Sequence, residues 1–457
     1  MMLELIISKS AEDNFTSVIG HGQTDLAKRQ GLIRRLSVQH IDLELASVLA
    51  DEDLSHLRSL TVTTPSCTKH LPSLVEFETL RVLDFQGCEG LQEYDMNGID
   101  KLFQLKYLSL RGTGMSKLPS GIVRLYDLET LDLIHTNIEE LPSRIAQLTK
   151  LQYLLVSRYW WGHPTGKTKI PNGIGNMNNS RVITGFNITQ SSLGAVEELG
   201  NLTGLNELHL HLDSQGHQEF KRHEEMLLSS LCKIGSGKLQ SLWIFSRDKT
   251  PLQFLDSWSP LPSSLQRFRM TTDYYSPKIP KWITPELDSL AYLNINLVKA
   301  MEEDLGLLGD MPALISLVLT FDTFQEERLT IRGIGFPCLK ELSVVLGGAN
   351  LLFEEGALPK LEKLELPFSV SVGNAYGFHL GIGHLTCLKY ATITLLNYRV
   401  SASESRAASS AIRNEANAHS NHPRLIIYGE TDDSDEEIDT DKEEYETQSN
   451  ATSDEES

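Results

Sequence analysis

A short apolar motif recurs along most of this chain. It reads Leu, two variable residues, Leu, one variable residue and then a further apolar residue. Clear copies begin at Leu57, Leu80, Leu105, Leu128, Leu151, Leu205, Leu239, Leu290, Leu314, Leu339 and Leu361, and weaker ones at Ile33, Ile183, Leu265 and Leu388. One copy cannot bury its apolar face alone, so neighbouring copies must stack on each other.

The spacing of the copies identifies the repeat. A period of roughly 20–29 residues with this motif is the signature of the leucine-rich repeat. It predicts an α/β fold, a leucine-rich-repeat solenoid (horseshoe) with a parallel sheet on its concave face. In the copy at 105–110, Leu108 and Leu110 should point inward and Tyr107, Ser109 and Arg111 outward, because side chains alternate along a strand.

Three segments follow from this pattern. Residues 1–30 lack the repeat and resemble the end of an upstream domain, whereas residues 31–428 form the solenoid and close with a strand over 424–428. Residues 429–457 are predicted to be a disordered acidic tail. The net charge is −20, of which −13 falls on residues 430–457. The remaining −7 leaves the solenoid mildly acidic, which argues against a nucleic-acid partner.

The repeat is interrupted twice. Residues 157–164, Ser-Arg-Tyr-Trp-Trp-Gly-His-Pro, lie between the copies at Leu151 and Ile183, and the polar segment 213–223 lies between those at Leu205 and Leu239. Insertions in a solenoid form loops on one face and often bind partners. In segments 122–125 and 145–148 the apolar spacing predicts short helices or irregular turns on the convex side.

Composition restricts the compartment and the chemistry. The five cysteines, at 67, 88, 232, 338 and 387, are scattered without metal or redox spacing. No stretch approaches the roughly 18 apolar residues of a spanning helix, so we expect no integral membrane segment. The first residues do not resemble a signal peptide. We therefore expect a cytoplasmic or nucleocytoplasmic protein.

Two motifs partly resemble functional sites, one a phosphate-binding loop and the other a metal site, but neither is complete. Residues 162–168, Gly-His-Pro-Thr-Gly-Lys-Thr, have three residues between the glycines where a phosphate loop needs four, and no long helix follows. His209, His211, His217 and His223 are close in sequence, but no acid or thiol spacing completes a metal site. We therefore expect no cofactor, no metal and no catalysis.

The outward strand positions carry a better hypothesis, because aromatic and Arg side chains dominate protein-binding hot spots. The predicted protein-binding residues on the concave face are Tyr107, Arg111, Tyr153, His209, His211, Trp243, Phe245, Arg267, Arg269 and Tyr292, with Trp160 and Trp161 in the first insertion. The alternative is that Trp243 and Phe245 pack on neighbouring rungs or under segment 213–223.

The turns after two strands carry a family resemblance. Residues 113–119 and 136–142 follow the pattern Thr-x-Ile-x-x-Leu-Pro, with Met115 in place of Ile in the first copy. This variant resembles the repeats of plant intracellular nucleotide-binding leucine-rich-repeat immune receptors, in particular the coiled-coil type of cereals. Residues 1–6 resemble the segment that follows the nucleotide-binding module, which implies that residues 1–30 are the remnant of a winged-helix-like domain.

The resemblance implies a recognition module in plant defence. Its partner would be a pathogen effector, a guarded host protein or the receptor's own nucleotide-binding switch domain. The sequence does not contain that switch domain or an N-terminal signalling domain. Two alternatives stay open: an adaptor that selects substrates for a ubiquitin ligase, and a non-functional receptor remnant.

Overall fold

The fold is described from a computed structural model, which covers residues 17–19, 33–39, 49, 52–64, 71–156, 158–160, 163–213, 219–246, 249–299, 301–322, 328–333, 335–345, 350–398 and 400–430. The strands in chain order are β1 (Ser17–Ile19), β2 (Arg35–Val38), β3 (Ser59–Val62), β4 (Val82–Asp84), β5 (Tyr107–Ser109), β6 (Thr130–Asp132), β7 (Tyr153–Leu155), β8 (Arg158–Trp160), β9 (His163–Thr165), β10 (Thr168–Lys169) and β11 (Val182–Asn187). They continue with β12 (Glu207–His211), β13 (Ser241–Phe245), β14 (Arg267–Thr271), β15 (Tyr292–Leu297), β16 (Ser316–Phe321), β17 (Arg328–Ile331), β18 (Glu341–Val345), β19 (Asn350–Phe353), β20 (Lys363–Ser369), β21 (Tyr390–Leu396) and β22 (Arg424–Tyr428). The α-helices are α1 (Leu193–Glu198), α2 (Phe220–Gly235), α3 (Glu302–Gly309), α4 (Val370–Tyr376) and α5 (Ala402–Ala418).

One long parallel sheet runs through the molecule. Strands β1 to β7 pair in chain order, and β7 then pairs with β11. From β11 the sheet continues through β12 to β16, then β18 and β20 to β22. Every predicted motif copy supplies one of these strands, so the parallel sheet and the solenoid are confirmed.

Most rungs place a leucine in the core at the same register. Leu60 of β3 aligns with Leu83 of β4, which aligns with Leu108 of β5, and all three are fully buried. Burying one such side chain stabilises the fold by about 2 kcal/mol relative to leaving it exposed. Since neighbouring strands lie only about 4.8 Å apart, each leucine packs against the rungs on both sides.

The threonine turns stabilise the strand ends by hydrogen bonds. The Thr113 hydroxyl donates to the Leu110 carbonyl at 2.8 Å, and the Thr136 hydroxyl donates to the Leu133 carbonyl at 2.8 Å. Both threonines are buried. Buried carbonyl groups need hydrogen-bond partners. The threonine hydroxyls supply them at the point where the chain turns away from the sheet.

Short 3₁₀ helices follow the threonine turns, at Ser120–Arg124 and Ile145–Gln147. Both confirm the expected helical turns. Segment 213–223, expected as an insertion loop, differs, because its last residues begin helix α2 at Phe220. This helix buries Leu227, Leu231 and Ile234 against the solenoid.

The first end of the sheet lies outside the expected boundary. Strand β1 pairs with β2, so the sheet includes three residues of the segment assigned to the upstream domain. At the other end the sheet closes with β22 at Tyr428, and Glu430 just beyond it pairs with Arg413 of α5 at 2.8 Å. The tail from residue 431 onward, predicted to be disordered, lies outside the described residues.

Among the described helices, none has the length and hydropathy that crossing a membrane requires.

Candidate functional site

The first candidate residues lie on the early rungs of the concave face. Arg111 donates to Asp132 through Nε at 2.9 Å and through Nη2 at 2.8 Å, and the Asp132 side chain is only 6% exposed. Burial, with Asp84 as the next cause, raises the pKa of Tyr107, so its hydroxyl stays protonated. Tyr153 on β7 is 39% exposed. Arg111 is thus committed to an internal ion pair, and Tyr153 offers the larger free surface.

The central rungs form a stacked column. The register places His209, Trp243 and Arg269 side by side on β12, β13 and β14. The His209 ring stacks on the Trp243 ring, with 4.2 Å between centroids and 5° between planes. The Arg269 guanidinium lies 4.8 Å from the Trp243 ring on the other side. Trp243 is therefore sandwiched between a histidine and a cation–π partner, which restricts its rotation.

A carboxylate supports this column from one side. Glu207 lies two residues before His209 on β12, and its Oε1 is 2.7 Å from His209 Nε2. The close contact with His209 holds the pKa of Glu207 below its ordinary value, although burial acts in the opposite direction. Glu207 was absent from the sequence predictions, but its place on the same strand face follows from the alternation of side chains.

The next outward position along the strands is covered. Phe245 is only 2% exposed and His211 3%. Their rings stack with 5.3 Å between centroids, and His211 Nδ1 accepts a hydrogen bond from the Gly166 amide at 2.9 Å. The Asn187 amide donates to the Gly166 carbonyl at 2.9 Å. The expectation of an exposed ring at Phe245 is therefore wrong, because Phe245 packs against neighbouring rungs as the alternative interpretation proposed.

The insertion after β7 provides this cover. Its strands β8 and β9 form an antiparallel pair, and β10 pairs with the second half of β11. The phosphate-loop-like segment thus leads at Thr168 into a strand and not into a helix, and the Thr168 hydroxyl donates to the Ile138 carbonyl at 2.6 Å. Trp160 lies at the end of β8. Trp161 and the Trp160 side chain lie outside the described residues, so their binding role stays a prediction.

Arg267 and Tyr292 extend the surface beyond the column. Arg267 aligns with Tyr292 of β15, next to Ser241 of β13. Arg267 is exposed and Tyr292 is half-buried. The structure therefore brings together Trp243, Arg267, Arg269 and Tyr292 as one accessible surface, which we call the central patch.

The histidines do not gather around a metal. His223 on α2 contacts the Ser191 carbonyl at 2.9 Å and the Glu219 carbonyl at 3.1 Å, away from the strand histidines. Within the described ranges, no group of three or more His, Cys, Asp or Glu residues could hold a metal ion. His217 lies outside those ranges.

Comparisons with known proteins agree with this architecture. Residues 56–425 match the family model described as leucine-rich repeat region. The solved structure of a leucine-rich-repeat protein of Leptospira interrogans superposes with a TM-score of 0.53 at 18% identity, covering 89% of this chain and all of that one. At this identity the likeness supports the fold alone.

Curated relatives come from rice. The chain is 28% identical to the disease resistance protein RGA5 of Oryza sativa subsp. japonica, over 93% of this chain and 37% of the relative. It is 30% identical to the disease resistance protein Pik-2 of the same subspecies, over 80% of this chain and 40% of the relative. The chain thus spans well under half the length of these relatives. The resemblance to plant immune receptors with leucine-rich repeats is confirmed by these matches.

Proposed function

The chain belongs to the leucine-rich repeat family, and from this premise we propose that it is a non-catalytic protein-recognition module in plant defence. The central patch of Trp243, Arg267, Arg269 and Tyr292 is its main contact surface. Similarity to two rice disease resistance proteins supports the biological setting. The compartment we propose is the cytoplasm, and the partner is a protein, not a nucleic acid.

The sandwiched Trp243 is the observation that carries this proposal. A large aromatic ring held between His209 and Arg269 loses little conformational entropy when a partner binds. Aromatic and Arg side chains near the centre of an interface contribute most of the binding energy. The column lies in the middle rungs of the sheet, where a curved surface can contact a partner from both sides.

Three protein partners fit this setting by family resemblance: a pathogen effector, a guarded host protein and a nucleotide-binding switch domain. Each would act by binding one state of the receptor better than another, because a ligand shifts an equilibrium only through differential affinity. The chain itself then supplies recognition, and the switch would belong to a separate module.

The test starts from capture in plant tissue. The tagged full chain is expressed in leaves, the captured protein is identified and purified, and its affinity for the chain is measured by calorimetry. Replacing Trp243→Ala together with Arg267→Ala is expected to weaken binding at least about thirtyfold, since even one hot-spot truncation costs roughly 2 kcal/mol or more. The single variant Arg267→Ala, at an exposed position, separates loss of contact from loss of folding.

A matched control is available on the flank of the solenoid. Tyr126 is 55% exposed and Arg124 precedes it in the 3₁₀ helix. The variant Tyr126→Ala with Arg124→Ala also removes one aromatic and one arginine, and it should leave the affinity within about twofold. Equal loss in both double variants, or none in the Trp243 variant, would refute the central patch.

A further inference from the structure

Two cations on β14 lack an anionic partner in the described part of the chain. Arg267 and Arg269 are two residues apart and share the concave face, because alternate strand residues point the same way. Arg269 donates through Nε to the Thr271 hydroxyl at 3.2 Å and stacks on Trp243. Neither guanidinium has a described carboxylate within ion-pair distance. The acid that acts on Arg267 is Glu207, two strands away and already bound to His209.

Two other cations on the same face are neutralised by neighbours. Arg111 pairs with Asp132 at 2.8 Å, and Lys363 pairs with Glu365 at 2.8 Å. The β14 pair presents two arginines whose Cα atoms lie about 7 Å apart along the strand. Guanidinium groups bind carboxylates strongly and with defined geometry. This arrangement fits a segment with closely spaced carboxylates.

We propose that the occupant is the acidic tail of the chain itself, residues 431–457. This segment holds thirteen acidic residues and one base, Lys442, a net charge of −12. Its low content of apolar residues and its high net charge suit contact with charged groups better than burial in the solenoid core. Residues 453–456, Ser-Asp-Glu-Glu, place three consecutive acids near its end.

The reach of the tail favours the β14 site over arginines on the early rungs of the sheet. The tail begins after Glu430, which Arg413 fixes at 2.8 Å. From β22 to β14 the sheet order gives six strand steps, about 29 Å at 4.8 Å per step. A flexible chain of 27 residues has an r.m.s. span of about 29 Å. Arg58 and Arg81, beside β3 and β4, are more than twice as far away along the sheet.

Because the tail is covalently attached to the solenoid, even a weak contact between the tail and the arginines can be well populated. A site within reach of a flexible linker meets its ligand at an effective concentration of roughly millimolar. Because the arginines belong to the central patch, the bound tail covers the surface that we assign to the protein partner. The tail contact itself requires no partner and can be tested on the full chain alone.

The experiment is nuclear magnetic resonance of the ¹⁵N-labelled full chain at 50 mM NaCl, following the backbone amides of residues 431–457. A bound tail tumbles with the solenoid, so its signals are broadened. The variant Arg267→Gln with Arg269→Gln is expected to raise the intensities of the acidic stretch at least about fivefold. Raising the salt to 500 mM should have the same effect, because exposed charges are screened.

Two further variants keep the test decisive. Arg267→Gln alone leaves the stack on Trp243 intact and is expected to raise the intensities about twofold or more. Arg58→Gln with Arg81→Gln removes the same charge from distant rungs and is expected to leave the wild-type spectrum unchanged. Circular dichroism and thermal melting confirm that each variant is folded.

Identical tail spectra for the wild type and the β14 double variant would overturn the proposal. So would equal release by the Arg58 and Arg81 variant, which would indicate unspecific attraction. If the tail signals are already sharp in the wild type, but a free 431–457 peptide added in excess binds in an Arg267-dependent manner, the site takes acidic segments from another molecule. That result would also overturn binding by the tethered tail.

Discussion

At the scale of single residues, the central patch depends on supporting side chains that do not contact a partner. Glu207 holds His209, and His209 holds one face of Trp243. Gly166 holds His211, and His211 covers Phe245. These contacts place the half-buried Trp243 ring and the buried Phe245 ring on the same strand, with different roles.

Glu207 makes the stability of the column dependent on pH. Since its folded pKa is depressed, the carboxylate stabilises the fold above its unfolded pKa of about 4.3, and this contribution is lost as pH falls through the lower folded value. The variant Glu207→Gln should be less stable than the wild type at pH 6 by up to about 1 kcal/mol, a typical value for a partly exposed pair. Thermal melts should show this difference vanishing at strongly acidic pH.

A control for Glu207 lies on β18. Glu341 also begins its strand, but a serine and not a histidine follows two residues later. Glu341→Gln should show a smaller difference at pH 6 than Glu207→Gln. A stability difference for Glu207→Gln that stays constant down to acidic pH would contradict the role of this carboxylate.

Gly166 is placed where no side chain fits. A Cβ at this position would lie 2.0 Å from His211 Cδ2, well inside contact distance. Gly166→Ala is therefore expected to destabilise the fold by about 1–3 kcal/mol, as overpacking does, and to uncover His211. Gly194→Ala is the matched control, because a Cβ there meets nothing within 4 Å. Chemical denaturation compares the two, and equal stabilities would refute the docking of the insertion.

At the scale of elements, each rung is a strand, a hydrogen-bonded turn and a helical return. The turn can be tested with Thr136→Val, which keeps the shape and removes the hydroxyl that donates to Leu133. The expected cost is about 0.5–1.5 kcal/mol, the usual net value of one hydrogen bond. Thr149→Val, at an exposed position nearby, should be close to neutral. Chemical denaturation measures both, and indistinguishable variants would contradict the role of the turn.

The sequence predicts the strands well and the returning segments poorly. Leu60, Leu83 and Leu108 repeat with the period that defines the sheet, so their burial follows from local pattern alone. Helices α2 and α5 were not predicted as helices, although Ser401 and Glu404 form a capping box at the start of α5. These helices are longer than the 3₁₀ helices in the corresponding part of other repeats. The period of the leucine motif predicts only what the repeats share, so it does not predict these longer helices.

The candidate site was predicted in part. Trp243 and Arg267 were identified because outward positions follow from alternation. The burial of Phe245 and His211 depends on Gly166, which is distant in sequence and belongs to an insertion outside the repeat. Contacts between an insertion and a strand carry no periodic signal, so only the structure could show which rings are covered.

At the scale of the whole molecule, the residues that we assign to partner binding differ from those that form the core of the solenoid. Its core lies between the strands and the returning segments, and exposed outward positions such as Arg267 can vary with little effect on packing. Stability in such folds is approximately a sum over rungs and their interfaces. Surface changes at the central patch should therefore alter binding without unfolding the chain.

Site-specific photo-crosslinking of the captured partner tests this central claim most directly. A photoreactive phenylalanine analogue replaces either Tyr292 on the concave sheet or Tyr126 on the flank. Crosslinking from position 292 and not from position 126 is the result that the central patch predicts. Crosslinking from position 126 alone would contradict it and would move recognition to the flank of the solenoid.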